Sequence, residues 1–116
     1  ETMVRTQAVT IIYMMADRMR SNMAETSLGS LSVYAVLDPS TASAIPGCGT
    51  PPSGCSKASM AENDLNEWWA KVSELPLGTG SITFNNGYTI IIQWDSDRSG
   101  VITAADSTVR VEVKLQ

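Results

Sequence analysis

An apolar residue recurs every three or four positions through residues 4–23, and this spacing constrains the fold more than any other feature of the chain. The stripe is formed by Val4, Ala8, Ile11, Ile12, Met15, Met19 and Met23. Because the spacing matches the turn of an α-helix, it predicts a helix over residues 1–24 with one apolar face. Such a face must be buried against a second layer of structure. The periodicity starts without a helix-start signal, so we expect the helix to continue into a segment ahead of Glu1.

The second layer is predicted over residues 80–116, where three segments have the character of antiparallel strands. In the last segment, Val109, Val111, Val113 and Leu115 alternate with Arg110, Glu112, Lys114 and Gln116. In the middle segment, one face carries Tyr88, Ile90, Ile92 and Trp94. Asn86 and Gly87 tolerate the positive φ angles of a tight turn and join this segment to a first strand at Ser81–Phe84. A sheet with a single apolar face is naturally covered by the N-terminal helix.

Between these layers lies a segment, residues 25–57, that is rich in Ser, Ala, Gly, Pro and Thr and is predicted to be an irregular loop. Within it only Leu31–Leu37 is expected to be ordered, as a short strand or a packed loop. A second helix is predicted over residues 58–75, because Ser59 and Glu62 have the spacing of a capping box and Pro76 ends the helix. The chain is therefore predicted to be a single α+β domain over residues 1–116, with the order helix, irregular loop, second helix, antiparallel sheet.

Two adjacent tryptophans lie on the predicted second helix, in the stripe Ala61, Leu65, Trp68, Trp69 and Val72. Helical spacing favours a core position for Trp68 and Trp69. The alternative interpretation is an exposed aromatic platform that binds a ligand.

Composition argues against most enzymes and against nucleic-acid binding. The chain has no histidine, which is the commonest general base and zinc ligand, and it has neither a GxSxG motif nor a phosphate-binding glycine loop. Its formal net charge is −4, whereas a protein that tracks phosphates normally carries a basic surface. Arg5, Arg18 and Arg20 form the only basic cluster and are predicted to be a solvated helix face. We therefore expect a protein without catalytic residues or a nucleic-acid partner.

The two cysteines, Cys48 and Cys55, lie in the Gly/Pro-rich segment PGCGTPPSGC and are predicted to form a disulfide. Two free thiols in such a loop would be reactive, which makes that alternative less favoured. A disulfide implies a periplasmic or extracellular environment.

The stretch DSDRSGVITAAD has the ligand spacing of a calcium-binding loop. The ligands would be the side chains of Asp95, Asp97, Ser99 and Asp106 and the carbonyl of Val101. The flanking segments are predicted strands, so this cannot be an EF-hand with its two helices. The alternative is an ordinary strand connection, in which Asp, Ser and Gly are common turn residues. Calcium is the one cofactor that the sequence suggests; otherwise none is expected.

Three separated pieces of the chain resemble a known family. TQAVTIIYMMADRMRSNM is similar to the corresponding segment of the PilV-type minor pilins of Gram-negative type IV pili, and MADRMRSN is its most specific part. AENDLNEWWAKVSELPLGTGSI, which follows the cysteine pair, and YTIIIQW also fit the family's pattern. The resemblance implies a pilin-like fold, in which a long N-terminal helix packs on a small antiparallel sheet. The calcium-like spacing is not part of the family pattern.

The resemblance also implies a function and a location. A PilV-type subunit is a structural protein that takes part in priming and assembling the pilus, within a tip complex of other minor pilins and in contact with the major pilin. It is anchored in the inner membrane by a hydrophobic helix ahead of the part seen here, with its head in the periplasm and later in the extracellular pilus. Tyr13 and Met14, predicted on the outer face of the first helix, are then candidates for contacts between subunits. The alternative function is an adhesive or ligand-binding head, with calcium as a stabiliser.

Overall fold

A computed structural model describes residues 2–48 and 54–114 as a mixture of helices and a small antiparallel sheet, so the chain has an α+β fold as predicted. The helices are α1 (Thr2–Arg20), α2 (Met23–Thr26) and α3 (Lys57–Val72), and the strands are β1 (Thr79–Phe84), β2 (Tyr88–Gln93) and β3 (Thr108–Val113). Two short 3₁₀ turns, Gly29–Leu31 and Pro39–Thr41, lie in the long connection between α2 and α3.

The sheet is a meander of three antiparallel strands in the order β1-β2-β3. Phe84 faces Tyr88 across the first connection, where Asn86 adopts a φ of 58°, as the predicted turn requires. The predicted inner face of β2 is confirmed, since Tyr88, Ile90, Ile92 and Trp94 are all buried. Val109 and Val111 of β3 are only half-buried, whereas Val113 is buried. Leu115 and Gln116, also predicted in this strand, lie outside the described residues.

The inner face of α1 lies against β2, β3 and α3 and forms one core with them. Ala8, Ile12, Met15 and Met19 are all fully buried, as the apolar stripe predicts. Met23 is 40% exposed, and its predicted place in the stripe is wrong. The reason is a turn after Arg20: Asn22 has a non-helical backbone, with a φ of −129° and a ψ of 53°, so Met23 begins a separate short helix.

Helix α3 begins earlier than the capping-box spacing predicts. Ser56 is the N-cap, and its hydroxyl accepts a hydrogen bond from the Ser59 N–H at 3.1 Å. Ser59 is therefore a donor inside the helix and not its cap, because a serine three residues earlier already occupies that role. The buried stripe is confirmed for its other members, but Trp69 is only half-buried.

Trp68 has no exposed surface, and the sheet passes directly over its ring. A Cβ atom at Gly80 would lie 2.7 Å from the Trp68 ring, so only glycine allows β1 to approach this closely. The indole Nε1 of Trp68 is buried and has no hydrogen-bond partner among the described residues. Trp68 therefore belongs to the core, and it cannot form an exposed binding platform.

Leu31–Leu37 does not form a strand; it is the packed loop that was the other predicted outcome. The Val36 carbonyl accepts a hydrogen bond from the Ile82 N–H at 2.8 Å, so this loop covers part of the free edge of β1. Tyr34 points inward and is fully buried.

Candidate functional site

The connection from β2 to β3 contains the predicted calcium ligands. Asp95 and Asp106 are buried and Asp97 is exposed, and one carboxylate oxygen from each lies within 4.8 Å of the others. The structure thus brings together the three carboxylates that the spacing singled out. Oxygen atoms at this separation are the donors that a hard cation such as calcium prefers.

These carboxylates also hold the connection closed by themselves. Asp95 accepts hydrogen bonds from the backbone N–H groups of Ser99 at 3.1 Å and Gly100 at 2.9 Å. Asp106 accepts from the N–H groups of Ser96 at 3.0 Å and Thr103 at 2.8 Å. Each buried carboxylate therefore satisfies two backbone donors of the same loop, and these hydrogen bonds hold the loop closed.

The hydrogen bonds have an electrostatic consequence for Asp95. The Gly100 N–H stabilises the charged carboxylate most, and contacts with Asp97 and Ser99 add to this effect. Burial and the nearby charge of Asp106 oppose it, but the pKa of Asp95 is still below its ordinary value. Asp95 therefore remains an anion, as a metal ligand must be, without the help of a metal.

The two remaining predicted ligands lie at the rim of this group. The Ser99 hydroxyl is 3.5 Å from Asp95 Oδ1 and donates to the Val101 carbonyl at 3.0 Å. Val101 itself has an exposed side chain. Gly100 has a φ of 88°, a backbone conformation that favours glycine, and it lets the chain reverse here.

The second predicted site is the outer face of α1. Tyr13 is 51% exposed and shares this face with Met3 and Val9, which are also exposed. Met14 differs from the prediction, because it is half-buried and packs against the core. It lines a groove of about 300 Å³ between α1 and α3, together with Ile11 and Lys71. Of the two candidates, only Tyr13 lies on the outer face.

The predicted disulfide joins Cys48 to Cys55, with their Cα atoms 5.3 Å apart. Cys48 is buried, and its carbonyl accepts a hydrogen bond from the Asn63 side chain at 3.2 Å. The bridge therefore fixes the end of the long connection directly against α3.

A partly buried polar cluster, which the sequence did not reveal, consists of Arg18, Asn22, Tyr34 and Asp64; we call it the polar clamp. Asp64 accepts hydrogen bonds from the Tyr34 hydroxyl at 2.6 Å and from Arg18 Nη1 at 2.9 Å. Asn22 donates to the Tyr34 hydroxyl at 3.2 Å and to the Lys57 carbonyl at 2.9 Å. Asp64 of α3 thus binds Arg18 of α1 and Tyr34 of the long connection. Asn22 links Tyr34 to the start of α3.

Charge and burial set the ionisation of the clamp. Burial disfavours the charged form of Arg18, but its hydrogen bonds to Glu67 and Asp64 outweigh this effect, so the pKa of Arg18 is raised. Burial, followed by the hydrogen bond to Asp64, raises the pKa of Tyr34 far above its ordinary value. Arg18 stays positive and Tyr34 neutral, which is the combination that the Asp64 carboxylate needs. The prediction that Arg18 is simply a solvated arginine is wrong.

Further polar side chains of α3 hold the backbone of the long connection. Glu62 accepts from the Ser43 N–H at 2.7 Å, and Asn63 accepts from the Ile45 N–H at 2.8 Å. Asn66 donates to the Ala42 carbonyl at 3.1 Å. One signal was visible in the sequence: Asp64 lies four residues before Trp68, so both occupy the same face of the helix.

Comparisons of this chain with models of protein families, with curated proteins and with solved structures give no match. Among the described residues, no helix is both long enough and apolar enough to cross a bilayer.

Proposed function

We propose that this chain is the head of a structural minor pilin, similar to the PilV type, that takes part in type IV pilus assembly. One observation carries the proposal: the first two of the three pieces of sequence that resemble the family meet in the polar clamp. Arg18 and Asn22 come from the first piece, and Asp64 comes from the second. Residues from both of these pieces therefore form the hydrogen bonds that join the long helix, the connection and the second helix.

The two faces of α1 support a role in assembly. Its inner face belongs to the core of the head, while its outer face leaves Met3, Val9 and Tyr13 exposed. A helix with one face buried in the head and the other face exposed can pack against the helix of a neighbouring subunit. Tyrosine suits such a contact, because it offers a large apolar surface with one polar atom.

In this proposal the partners are other minor pilins and the major pilin, and the role is structural rather than catalytic. The subunit would be anchored in the inner membrane of a Gram-negative bacterium before its head joins the extracellular pilus. The disulfide fits this setting, because disulfides persist in the periplasm and outside the cell.

Co-purification of this domain with the soluble heads of other minor pilins tests the proposal. We expect the wild-type domain to bind at least one of them and Tyr13→Ser to weaken that binding about tenfold, as the loss of an aromatic anchor typically does. Leu31→Ser is the matched control, because Leu31 is 84% exposed but lies outside α1. Binding that is absent in the wild type, or equally affected by both variants, would contradict the proposal.

A second candidate function is a calcium-stabilised adhesive or ligand-binding head. It is favoured by the three carboxylates within 4.8 Å of one another. Thermal melting with calcium and with a chelator separates the two candidates, because a cation that binds only the folded chain must raise the melting temperature. Asp97→Asn is the informative variant, since Asp97 is exposed and its loss should remove a calcium effect without unfolding the loop.

A further inference from the structure

The two edges of the sheet differ in what covers them. The edge of β1 is partly covered, because the Ile82 N–H donates to the Val36 carbonyl at 2.8 Å. Strand β3 is the opposite edge, and within residues 2–48 and 54–114 only β2 is hydrogen-bonded to its backbone. Its outward N–H and C=O groups therefore remain available to another extended strand.

The charges of β3 determine which kind of partner strand can pair with it. Its exposed face carries Arg110 and Glu112, and Lys114 follows directly after the strand, so the charges alternate in sign. Its inner face carries Val109 and Val111, which are only half-buried. The neighbouring Ile90 and Ile92 of β2, by contrast, are fully buried. An ideal partner would place opposite charges on the first face and apolar side chains against the second.

A second copy of β3 meets both requirements in one register. We propose that β3 pairs antiparallel with β3 of another copy of this chain, with Val111 of each copy opposite Val111 of the other. Arg110 of each copy then faces Glu112 of the other, on both sides of the two-fold axis. On the inner face, Val109 of each copy faces Val113 of the other, so the half-exposed valines become buried.

The neighbouring registers are excluded by charge. A shift that places Arg110 opposite Arg110 sets like charges against each other, and a shift that centres Glu112 on Glu112 does the same. A shift by a single residue would bring Arg110 against Val111 and mix the two faces of the sheet. The alternation therefore permits one self-pairing and disfavours those beside it, which is how edge charges give specificity.

Pairing along a single strand buries little surface, so the dimer should be weak and transient. Sedimentation equilibrium of the domain from about 20 µM to about 1 mM should show reversible dimer formation that weakens as salt is added. A domain that stays monomeric over this whole range at low salt overturns the proposal.

Charge reversal tests the register itself. Arg110→Glu alone places Glu against Glu, and Glu112→Arg alone places Arg against Arg, so each variant should dimerise at least about tenfold more weakly than the wild type. An equimolar mixture of the two variants restores both opposite-charge pairs and should form heterodimers with wild-type affinity. Within the chain these side chains lie opposite Ile91 and Thr89 of β2, so reversal creates no charge clash with that strand.

Matched controls reverse the same charges elsewhere. Lys71 and Glu74 form a surface pair at 4.0 Å, comparable with Lys114 and Glu112 at 3.7 Å. Lys71→Glu and Glu74→Arg should leave dimerisation unchanged, and thermal melting of all variants verifies that they are folded. Equal weakening by the control variants, or failure of the mixture to restore association, overturns the proposal. The outcome is independent of the pilus role, which uses the outer face of α1.

Discussion

The two long connections of this fold are held in different ways. The first connection, between α2 and α3, is attached by side chains of α3, by Glu25 of α2, by a buried tyrosine and by a disulfide. The second connection, between β2 and β3, is closed chiefly by Asp95 and Asp106, whose carboxylates accept hydrogen bonds from nearby backbone N–H groups. The first connection depends on partners far away in the sequence. The second depends mainly on partners within itself, apart from the Asp95 N–H, which donates to the Pro76 carbonyl at 2.8 Å.

This difference predicts where each connection is vulnerable. The first shares its contacts with the core, so damage to it should destabilise the whole domain. The second uses local contacts between charged groups and the backbone, so it should open with a smaller effect on the rest of the fold. A cation would act on the second connection alone, where the carboxylates converge.

The largest effect is expected for Asp64→Ala in the polar clamp. The substitution leaves the Tyr34 hydroxyl and Arg18 without their shared acceptor, which should lower the free energy of unfolding by about 3 kcal/mol. Urea unfolding followed by tryptophan fluorescence measures this change. Glu67→Ala is the control, because Glu67 also pairs with Arg18 but its side chain is 41% exposed, so a loss below about 1 kcal/mol is expected. Equal losses for both variants would contradict the central role of Asp64.

The next largest effect is expected for removal of the disulfide by replacing Cys48 and Cys55 with Ser. The bridge closes a short loop, with a sequence separation of 7, and the chain-entropy account gives a loss of about 2–3 kcal/mol. Urea unfolding of the oxidised wild type, the reduced wild type and the double variant measures it. The reduced protein and the variant should agree, and a double variant as stable as the oxidised protein would show that the bridge does not stabilise the connection.

A smaller effect is expected for Asp106→Ala in the second connection. The change removes the acceptor for the Ser96 and Thr103 N–H groups, and an unpaired buried donor costs about 1–3 kcal/mol, reduced here where water can enter the opened loop. Hydrogen exchange in a chelator should show faster exchange in the second connection and unchanged protection in α3. Asp97→Ala is the control at an exposed carboxylate. Equal loss of protection in α3 would show that the two connections are not independent.

Sequence periodicity was sufficient for the parts of the fold that have one apolar face. It predicted α1 and the inner face of β2, because alternation and helical spacing report directly which side chains are buried. It failed at Met23, where a turn breaks the helix, since no glycine or proline marks that break. A periodic pattern cannot reveal a turn that is fixed by contacts made elsewhere in the fold.

The candidate site was predictable to the extent that it is local. The spacing of Asp95, Asp97 and Asp106 predicted that their carboxylates lie close together, because all three residues belong to one short connection. The polar clamp was not predicted, because Arg18, Tyr34 and Asp64 are far apart in sequence and each has the appearance of an ordinary surface or core residue. Only the packing of α1 on α3 brings them into contact.

The smallest effect is a dependence on alkaline pH, which is absent near neutrality. Folding raises the pKa of Tyr34, chiefly through burial and then through its hydrogen bond to Asp64. The unfolded chain therefore releases this proton first, so the Tyr34 contribution to stability is complete below pH about 10 and is lost as the pH rises further. Urea unfolding between pH 8 and pH 11 should show a steeper decline for the wild type than for Tyr34→Phe. The second connection contains no tyrosine or lysine, so its hydrogen-exchange protection should fall only in step with global unfolding. If the free energy of unfolding falls equally with pH in the wild type and in Tyr34→Phe, ionisation of Tyr34 is not the cause of the alkaline sensitivity.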